Sequence, residues 1–286
     1  MSYVNADALV DTAWVADHLD DANVHIVDAT WHLPPTGRNG AAEYQEAHIP
    51  GAVYFDIDKI ADTNSALPHM LPSEADFAAA VSALGIKNTD RVVVYDANGL
   101  FSAPRAWWMF RVFGHHNVAL MTGGITQWKA DSRPVTAEVP APTPTRFEAA
   151  FRPHLVRSID QIRQNIEAAD DLVLDARAAD RFDGSQAEFR PGVEPGHIPG
   201  SANLPFGRIT NAETGTYQDA DSIIKALDAV GADGSKTVAT TCGSGVSACI
   251  VGLGMHLVGR ENWAVYDGSW TEWGGRDDTP KAKGAK

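Results

Sequence analysis

Cys242 is the residue whose neighbours best equip it for chemistry, within Val238-Ala-Thr-Thr-Cys-Gly-Ser-Gly-Val-Ser-Ala248. The run reads as a buried β-branched strand that passes through a glycine-bearing loop into an apolar helix. Gly243 and Gly245 can take positive φ and carry no side chains. The successive N–H groups of Gly243, Ser244, Gly245, Val246 and Ser247 can therefore curl around one point. That point would hold the Cys242 sulfur. Donors beside a helix N-terminus favour an anion, so the thiol pKa should fall and the nucleophilic thiolate be populated. A cysteine at the C-terminal end of a parallel strand also stands where open α/β sheets place their active sites. By residue type alone a free cysteine is more often a small buried hydrophobe. Cys249 lacks the loop setting, lies at apolar helical spacing and reads as core. A phosphatase loop would need an arginine six residues after the cysteine to clamp phosphate. That position is Ala248, which disfavours phosphoryl transfer.

The elements that must position Cys242 emerge from an internal repeat. His25-Ile-Val-Asp-Ala-Thr30 answers Leu172-Val-Leu-Asp-Ala-Arg177, and His48-Ile-Pro-Gly-Ala52 answers His197-Ile-Pro-Gly-Ser201. Arg91-Val-Val-Val-Tyr-Asp96 answers Thr237-Val-Ala-Thr-Thr-Cys242, and Gly123-Gly-Ile-Thr-Gln-Trp128 answers Gly268-Ser-Trp-Thr-Glu-Trp273. Four matches in the same order identify a tandem duplication. Short β-branched runs alternate with helical patterns at 14–19, 73–84 and 103–113, then at 158–168, 220–230 and 246–257. The alternation predicts two α/β domains, each a mostly parallel sheet flanked by helices. The Pro-rich stretch 133–153 cannot sustain a helix or central strand. The expected division is therefore a first domain at 1–135, a linker at 136–153 and a second domain at 154–286.

Composition narrows the function classes. The 286 residues are 44% hydrophobic and 21% charged, ordinary for a globular chain. A balance of 23 Lys+Arg against 37 Asp+Glu gives −14. A field of that sign repels nucleic acid and anionic membranes as general partners, and it means that an anionic substrate must find its positive charge locally. Two cysteines seven residues apart, read as sharing one helical segment, build neither a disulfide framework nor a metal centre. The acidic N-terminus lacks the pattern of a secretory signal, and the apolar stretch at 248–258 is too short to span a bilayer. A reducing, cytoplasmic location is the expectation.

Several further stretches carry a resemblance. They are Trp31-His-Leu-Pro34, His48-Ile-Pro-Gly-Ala52, Phe55-Asp-Ile-Asp58, His69-Met-Leu-Pro72, Ser102-Ala-Pro-Arg-Ala-Trp-Trp-Met-Phe110, Arg181-Phe-Asp-Gly184 and Pro195-Gly-His-Ile-Pro-Gly200. With Cys242-Gly-Ser-Gly-Val-Ser-Ala-Cys249 and Tyr266-Asp-Gly-Ser-Trp-Thr-Glu-Trp273, they make residues 14–273 resemble the two-domain rhodanese-type sulfurtransferases. Within these the loop is most similar to the 3-mercaptopyruvate group, which reads Cys-Gly-Ser-Gly-Val-Thr; Ser247 here keeps the hydroxyl. Thiosulfate-using members carry basic residues directly after the cysteine. The resemblance implies a catalytic second domain, an inactive first domain and an active site between them. The repeat agrees, because Asp96 stands opposite Cys242 and a carboxylate cannot form a persulfide.

By the same resemblance, Arg181 and Arg190 match the positions that hold the substrate carboxylate and keto oxygen; the alternative is two solvated surface arginines. Family members commonly read Pro-Glu-Pro before the second arginine. Ala187-Glu188-Phe189 stands here, which predicts a less rigid loop. Ser244, His69 and Asp58 match a charge-relay-like set beside the cysteine, able to move a proton near the departing enolate. Asp58 as a helix cap and His69 as a plain loop residue are the alternatives. His48 and His197 recur in both halves and read as structural, and Trp107 and Trp108 as packing.

The implied reaction moves the sulfur of 3-mercaptopyruvate to Cys242 as a persulfide, releases pyruvate, and passes the sulfur to thioredoxin, a small thiol or cyanide, with no metal or organic cofactor. The rivals are a thiosulfate sulfurtransferase and a non-catalytic rhodanese-fold binding or sulfur-carrier module. The polar tail at 277–286 reads as disordered.

Overall fold

The β-branched runs bury both faces and are only five residues long, which makes them central strands of parallel sheets rather than helices. In the computed structural model, which describes residues 2–284, they do so twice. The first half comprises β1 (Leu9–Val10), α1 (Thr12–Asp17), β2 (Val24–Asp28), α2 (Gly40–Glu46), β3 (Val53–Tyr54), α3 (Glu74–Ala83), β4 (Arg91–Tyr95), α4 (Ala103–Val112), β5 (Val118–Met121) and α5 (Gly124–Ala130). The second comprises β6 (Val156–Arg157), α6 (Ile159–Ala168), β7 (Asp171–Asp175), α7 (Ala179–Phe182), β8 (Ala202–Asn203), β9 (Thr210–Asn211), β10 (Thr216–Tyr217), α8 (Ala220–Asp228), β11 (Thr237–Thr241), α9 (Ala248–Leu257), β12 (Trp263–Tyr266) and α10 (Ser269–Gly274).

The strand orders β1-β5-β4-β2-β3 and β6-β12-β11-β7-β8 are the same order repeated, as a duplication requires. All the strand pairs in these two sheets are parallel, with Val94 beside Val27 in the first and Thr240 beside Leu174 in the second. The antiparallel hairpin β9–β10 belongs to the second half and reaches toward the first, where Gly215 O accepts from Gly123 N at 3.0 Å. Helix starts follow local capping chemistry: Asp11 accepts from Trp14 N, Ser73 from Asp76 N, and Ser158 with Gln161 forms a capping box.

The two halves share one core. Every residue of α9 is buried, which fits a helix that is apolar all round. It packs against α4, and Trp107 and Trp263 stack with centroids 6.2 Å apart within a cluster drawn from both halves. Gly252 is required here, because a Cβ would lie 2.5 Å from the Trp263 ring.

Three expectations change. The Pro-rich stretch is extended but lies along the first half as a strap: Thr145 N donates to Ser82 O, Ala150 N to Phe113 O, and Phe147 is buried. The tail expected to be disordered docks as far as residue 284. Ala282 bridges His197, Pro280 O accepts from Trp273 Nε1, and Thr279 is buried; Ala285 and Lys286 lie outside the described residues. The bridge from His48 to Thr136 is its counterpart in the first half, so the tail is part of the repeat. Finally, the two cysteines do not share a helix: Cys242 follows β11 directly and Cys249 lies in α9. Both are free thiols.

Candidate active site

Strand β11 delivers Cys242 at its C-terminal end, with only 2% of its surface exposed. The start of α10 braces the base of the loop. Cys242 O accepts from Trp270 N at 2.9 Å, Cys242 N donates to Ser269 Oγ at 3.2 Å, and Gly243 O accepts from Thr271 N at 2.8 Å. Gly245 has φ +75, and a Cβ there would sit 2.8 Å from both Arg105 Nη1 and Asp267 O. Gly243 differs from expectation. Its φ is not positive; a Cβ there would approach Arg181 Nη2 to 3.3 Å and touch Arg190 Nη1 at 3.5 Å, so the glycine leaves the two guanidiniums room beside the loop. Cys249 donates its S–H to Gly245 O at 3.2 Å, and burial pushes its thiol pKa up, so it supports the loop as a neutral thiol.

The duplicated loop shows what this arrangement is built to hold. In the first half Asp96 Oδ2 accepts from Phe101 N, Ser102 N and Ala103 N, each at 2.8 Å, and Oδ1 accepts from Asn98 N at 2.9 Å. The carboxylate fills its own cradle of N–H groups. In the second half, no protein oxygen takes the N–H of Ser244, Gly245, Val246 or Ser247 among the described residues. A sulfur anion on Cys242 is the group that this cradle can serve.

Arg181, at the end of α7, and Arg190 come together over Gly243. Buried Glu188 sets the first of them: its Oε1 accepts from Arg181 Nε at 3.1 Å and from Arg177 Nη1 at 2.8 Å, and its Oε2 from Arg181 Nη2. Arg177 is fully buried against Asp175, so Glu188 is neutralised from one side and orients Arg181 from the other. Phe189 lies under both guanidiniums, 5.4 Å from that of Arg181 and 4.7 Å from that of Arg190. The departure from Pro-Glu-Pro therefore replaces proline stiffness with aromatic contact. These groups enclose a cavity of about 130 Å³ beside Cys242, closed from the first half by Trp31 and Phe101 and from the second by Phe206.

Ser244, His69 and Asp58 are only partly brought together. His69 Nδ1 lies 2.7 Å from Asp58 Oδ1, off the line of an ideal hydrogen bond, and Asp58 Oδ2 accepts from Trp31 Nε1 at 2.8 Å. Ser244 Oγ accepts from Arg190 Nη2 at 3.1 Å, and buried His69 Nε2 has no hydrogen-bond partner among the described residues. His69 has φ +61, a conformation costly for a residue other than glycine. Burial, above all, holds its pKa below the ordinary value despite the Asp58 contact. Burial pulls Asp58 upward, but the close contact with His69 and the hydrogen bond from Trp31 outweigh it and leave that carboxyl below its ordinary value. His48 and His197 are buried, each bonded through Nδ1 to a backbone carbonyl and stacked on a neighbouring ring.

Two site-building residues escape a reading of the sequence. Arg105 of α4 is fully buried and crosses between the halves. It forms a 2.7 Å ion pair with Asp267, donates to Gly245 O at 3.2 Å and donates to His69 O. Asp267 Oδ2 in turn accepts from Leu71 N at 2.8 Å. The available signal was an arginine in the first turn of a helix that is apolar except for it and Arg111.

Two repeated parallel α/β halves, one with a cysteine loop under paired arginines and one with an aspartate in the equivalent loop, define a rhodanese-fold protein. The Rhodanese-like domain profile matches residues 11–131 and 158–276, and the chain belongs to that family. It is 44% identical over 272 residues to the 3-mercaptopyruvate sulfurtransferase of Rattus norvegicus, covering 93% of this chain and 91% of the relative. It is 40% identical to the thiosulfate/3-mercaptopyruvate sulfurtransferase 1, mitochondrial, of Arabidopsis thaliana, over 98% of this chain and 79% of the relative. The crystal structure of SseA from Escherichia coli, described among 3-mercaptopyruvate sulfotransferases, superposes with TM-score 0.84 at 36% identity, covering 92% of this chain and 98% of that one.

Proposed function

We propose that the chain is a 3-mercaptopyruvate sulfurtransferase. The observation that carries this is the pair Arg181 and Arg190 over Gly243, beside Cys242, in a cavity of about 130 Å³ sized for a small acid. The substrate carboxylate and ketone dock on the two guanidiniums, which supply locally the positive charge that a −14 protein lacks overall. The Cys242 thiolate attacks the substrate sulfur and the C–S bond breaks. Its electron pair leaves on the pyruvate enolate, stabilised by the arginines. A proton then reaches the enolate carbon through Ser244, His69 and Asp58. Arg190, on engaging the substrate, releases Ser244 Oγ toward His69. The new persulfide rests in the N–H cradle of Gly243 to Ser247. An acceptor thiolate or cyanide removes the outer sulfur and returns Cys242 as a thiolate, in a ping-pong cycle.

Thiosulfate serves as a poorer donor in this reading, because the loop after Cys242 has no basic residue. The free thiols suit a reducing, cytoplasmic compartment. Intact mass after incubation with each donor tests the proposal. One added sulfur is expected with 3-mercaptopyruvate, little with thiosulfate and none in Cys242→Ser. Absence of added sulfur with both donors would leave a binding module, and faster loading from thiosulfate would reverse the donor preference.

A further inference from the structure

The segment 184–196 carries Glu188 and Arg190 but contains no helix or strand of its own. Its two ends are fastened by the tail. At one end Gly284 N donates to Asp183 O at 2.8 Å, and at the other His197 N donates to Ala282 O and Ala282 N to His197 O, each at 2.9 Å. The segment is shaped to receive these bonds, because Gly196 has φ +131 and a Cβ on it would run into Ala282 O. The tail is itself anchored on α10, where Thr279 Oγ1 donates to Trp273 O at 2.5 Å and Trp273 Nε1 donates to Pro280 O at 2.7 Å. Two routes lead from the pinned ends to the donor site. Gly196 O accepts from buried Arg177 Nη2 at 2.7 Å, Arg177 Nη1 donates to Glu188 Oε1, and the same oxygen accepts from Arg181 Nε. His197 stacks on Phe182 with centroids 3.9 Å apart and bonds Phe182 O through Nδ1 at 2.8 Å, and Phe182 follows Arg181 in α7.

We infer that residues 279–284 are a positioning element for the donor site: by fixing both ends of the arginine-bearing segment, the tail sets where Arg181 and Arg190 meet over Gly243. The inference rests on the sulfurtransferase reading above and names the part of the chain that holds its donor-binding groups in place. The physical need is plain. Two like charges over one small cavity repel each other, and a segment without secondary structure would let them part unless its ends were held.

The duplication supplies the comparison. In the first half Thr136 makes the same bridge to His48, with both bonds at 2.9 Å, but it pins the end of α2, which lines no part of the catalytic cavity. Ala282→Pro deletes the donor to His197 O, Gly284→Pro the donor to Asp183 O, and Thr136→Pro the donor to His48 O. Cys242 is loaded with 3-mercaptopyruvate, whose carboxylate and ketone need the arginines, or with inorganic polysulfide, which has neither group. Intact mass follows the added sulfur. Loading from 3-mercaptopyruvate is expected to slow about tenfold in both tail variants, the scale of one weakened bond to a charged group, while polysulfide loads at the parent rate. Thr136→Pro lowers the urea midpoint as the tail variants do, yet loads at the parent rate from both donors. Hydrogen exchange of the amides at 184–195 quickens in the tail variants alone. Parent-rate loading from 3-mercaptopyruvate in both tail variants overturns the inference. So does a loss shared equally with polysulfide or with Thr136→Pro, which would make the tail a support for the fold alone. If Ala282→Pro fails to fold, Gly284→Pro, at an exposed position, decides. If the parent itself does not load from 3-mercaptopyruvate, the donor reading fails, and exchange at 184–195 still decides the positioning: quickened exchange in the tail variants upholds it and unchanged exchange overturns it.

Discussion

Arg105 gives the sharpest test of how the two halves cooperate. Its guanidinium is buried in α4 of the half without the cysteine, yet it touches the catalytic loop at Gly245 O and the backbone of His69. Burial works against its charge, and the Asp267 carboxylate at 2.7 Å outweighs that influence. Arg105→Met leaves Asp267 buried without a counter-ion, and breaking a buried pair in this way costs about 3–5 kcal/mol. That is a large share of the roughly 5–15 kcal/mol by which typical proteins are stable. Combining it with Asp267→Leu removes the orphaned charge but strips the acceptor from Leu71 N, so a residual loss of about 1–3 kcal/mol remains. Neither variant restores the tethers to Gly245 and His69. A displacement of about 1 Å at the reacting groups costs on the order of a hundredfold, so both should load Cys242 about that much more slowly. Urea unfolding followed by tryptophan fluorescence measures the first effect, and rapid-quench persulfide formation the second. If the double variant loads at the parent rate, Arg105 acts only by balancing charge, and the positioning argument is wrong.

The remaining expectations concern the arginines, the histidine and the duplicated loop. Phe189→Ala removes two cation–π contacts of about 0.5–1 kcal/mol each, and so should raise KM for 3-mercaptopyruvate by about 5- to 30-fold in steady-state kinetics. His69 has its pKa depressed from 6.5, chiefly by burial, so the acid limb of kcat should lie below pH 6.5. Because Asp58 opposes that depression, Asp58→Asn should move the limb to still lower pH in a pH–rate profile. The same shift makes stability fall as pH drops below 6.5, since the unfolded chain binds a proton that the folded one resists; a pH series of urea midpoints reads this. Asp96→Ala orphans the N–H groups of Asn98, Phe101, Ser102 and Ala103 and should cost about 3 kcal/mol or more in chemical denaturation, while Asp96→Asn, which keeps an acceptor oxygen, should cost less.

Much of the molecule was determined by local sequence. The β-branched runs, the repeat and the Cys-Gly-Ser-Gly loop specify two parallel α/β halves and one nucleophile, because strand burial and glycine backbone freedom are properties of adjacent residues. Helices α1, α3, α4, α6, α8 and α9 were legible for the same reason. Short α2, α5, α7 and α10 were not, since each pairs a length of four to seven residues with glycine or polar residues that blur its apolar spacing. The docked tail and strap were also hidden, because their order comes from backbone bonds to distant chain.

The site divides along the same line. That Cys242 could be a nucleophile is written in its own neighbours. Only tertiary structure decides that Glu188 and Phe189 aim two like-charged guanidiniums at one small cavity. It also decides that Gly243 does not take a positive φ, that Ser244 bonds Arg190 rather than His69, and that Arg105 joins Asp267 across the halves. These are contacts between residues far apart in the chain. Their energies depend on burial and on direction, neither of which a linear string of residue types contains.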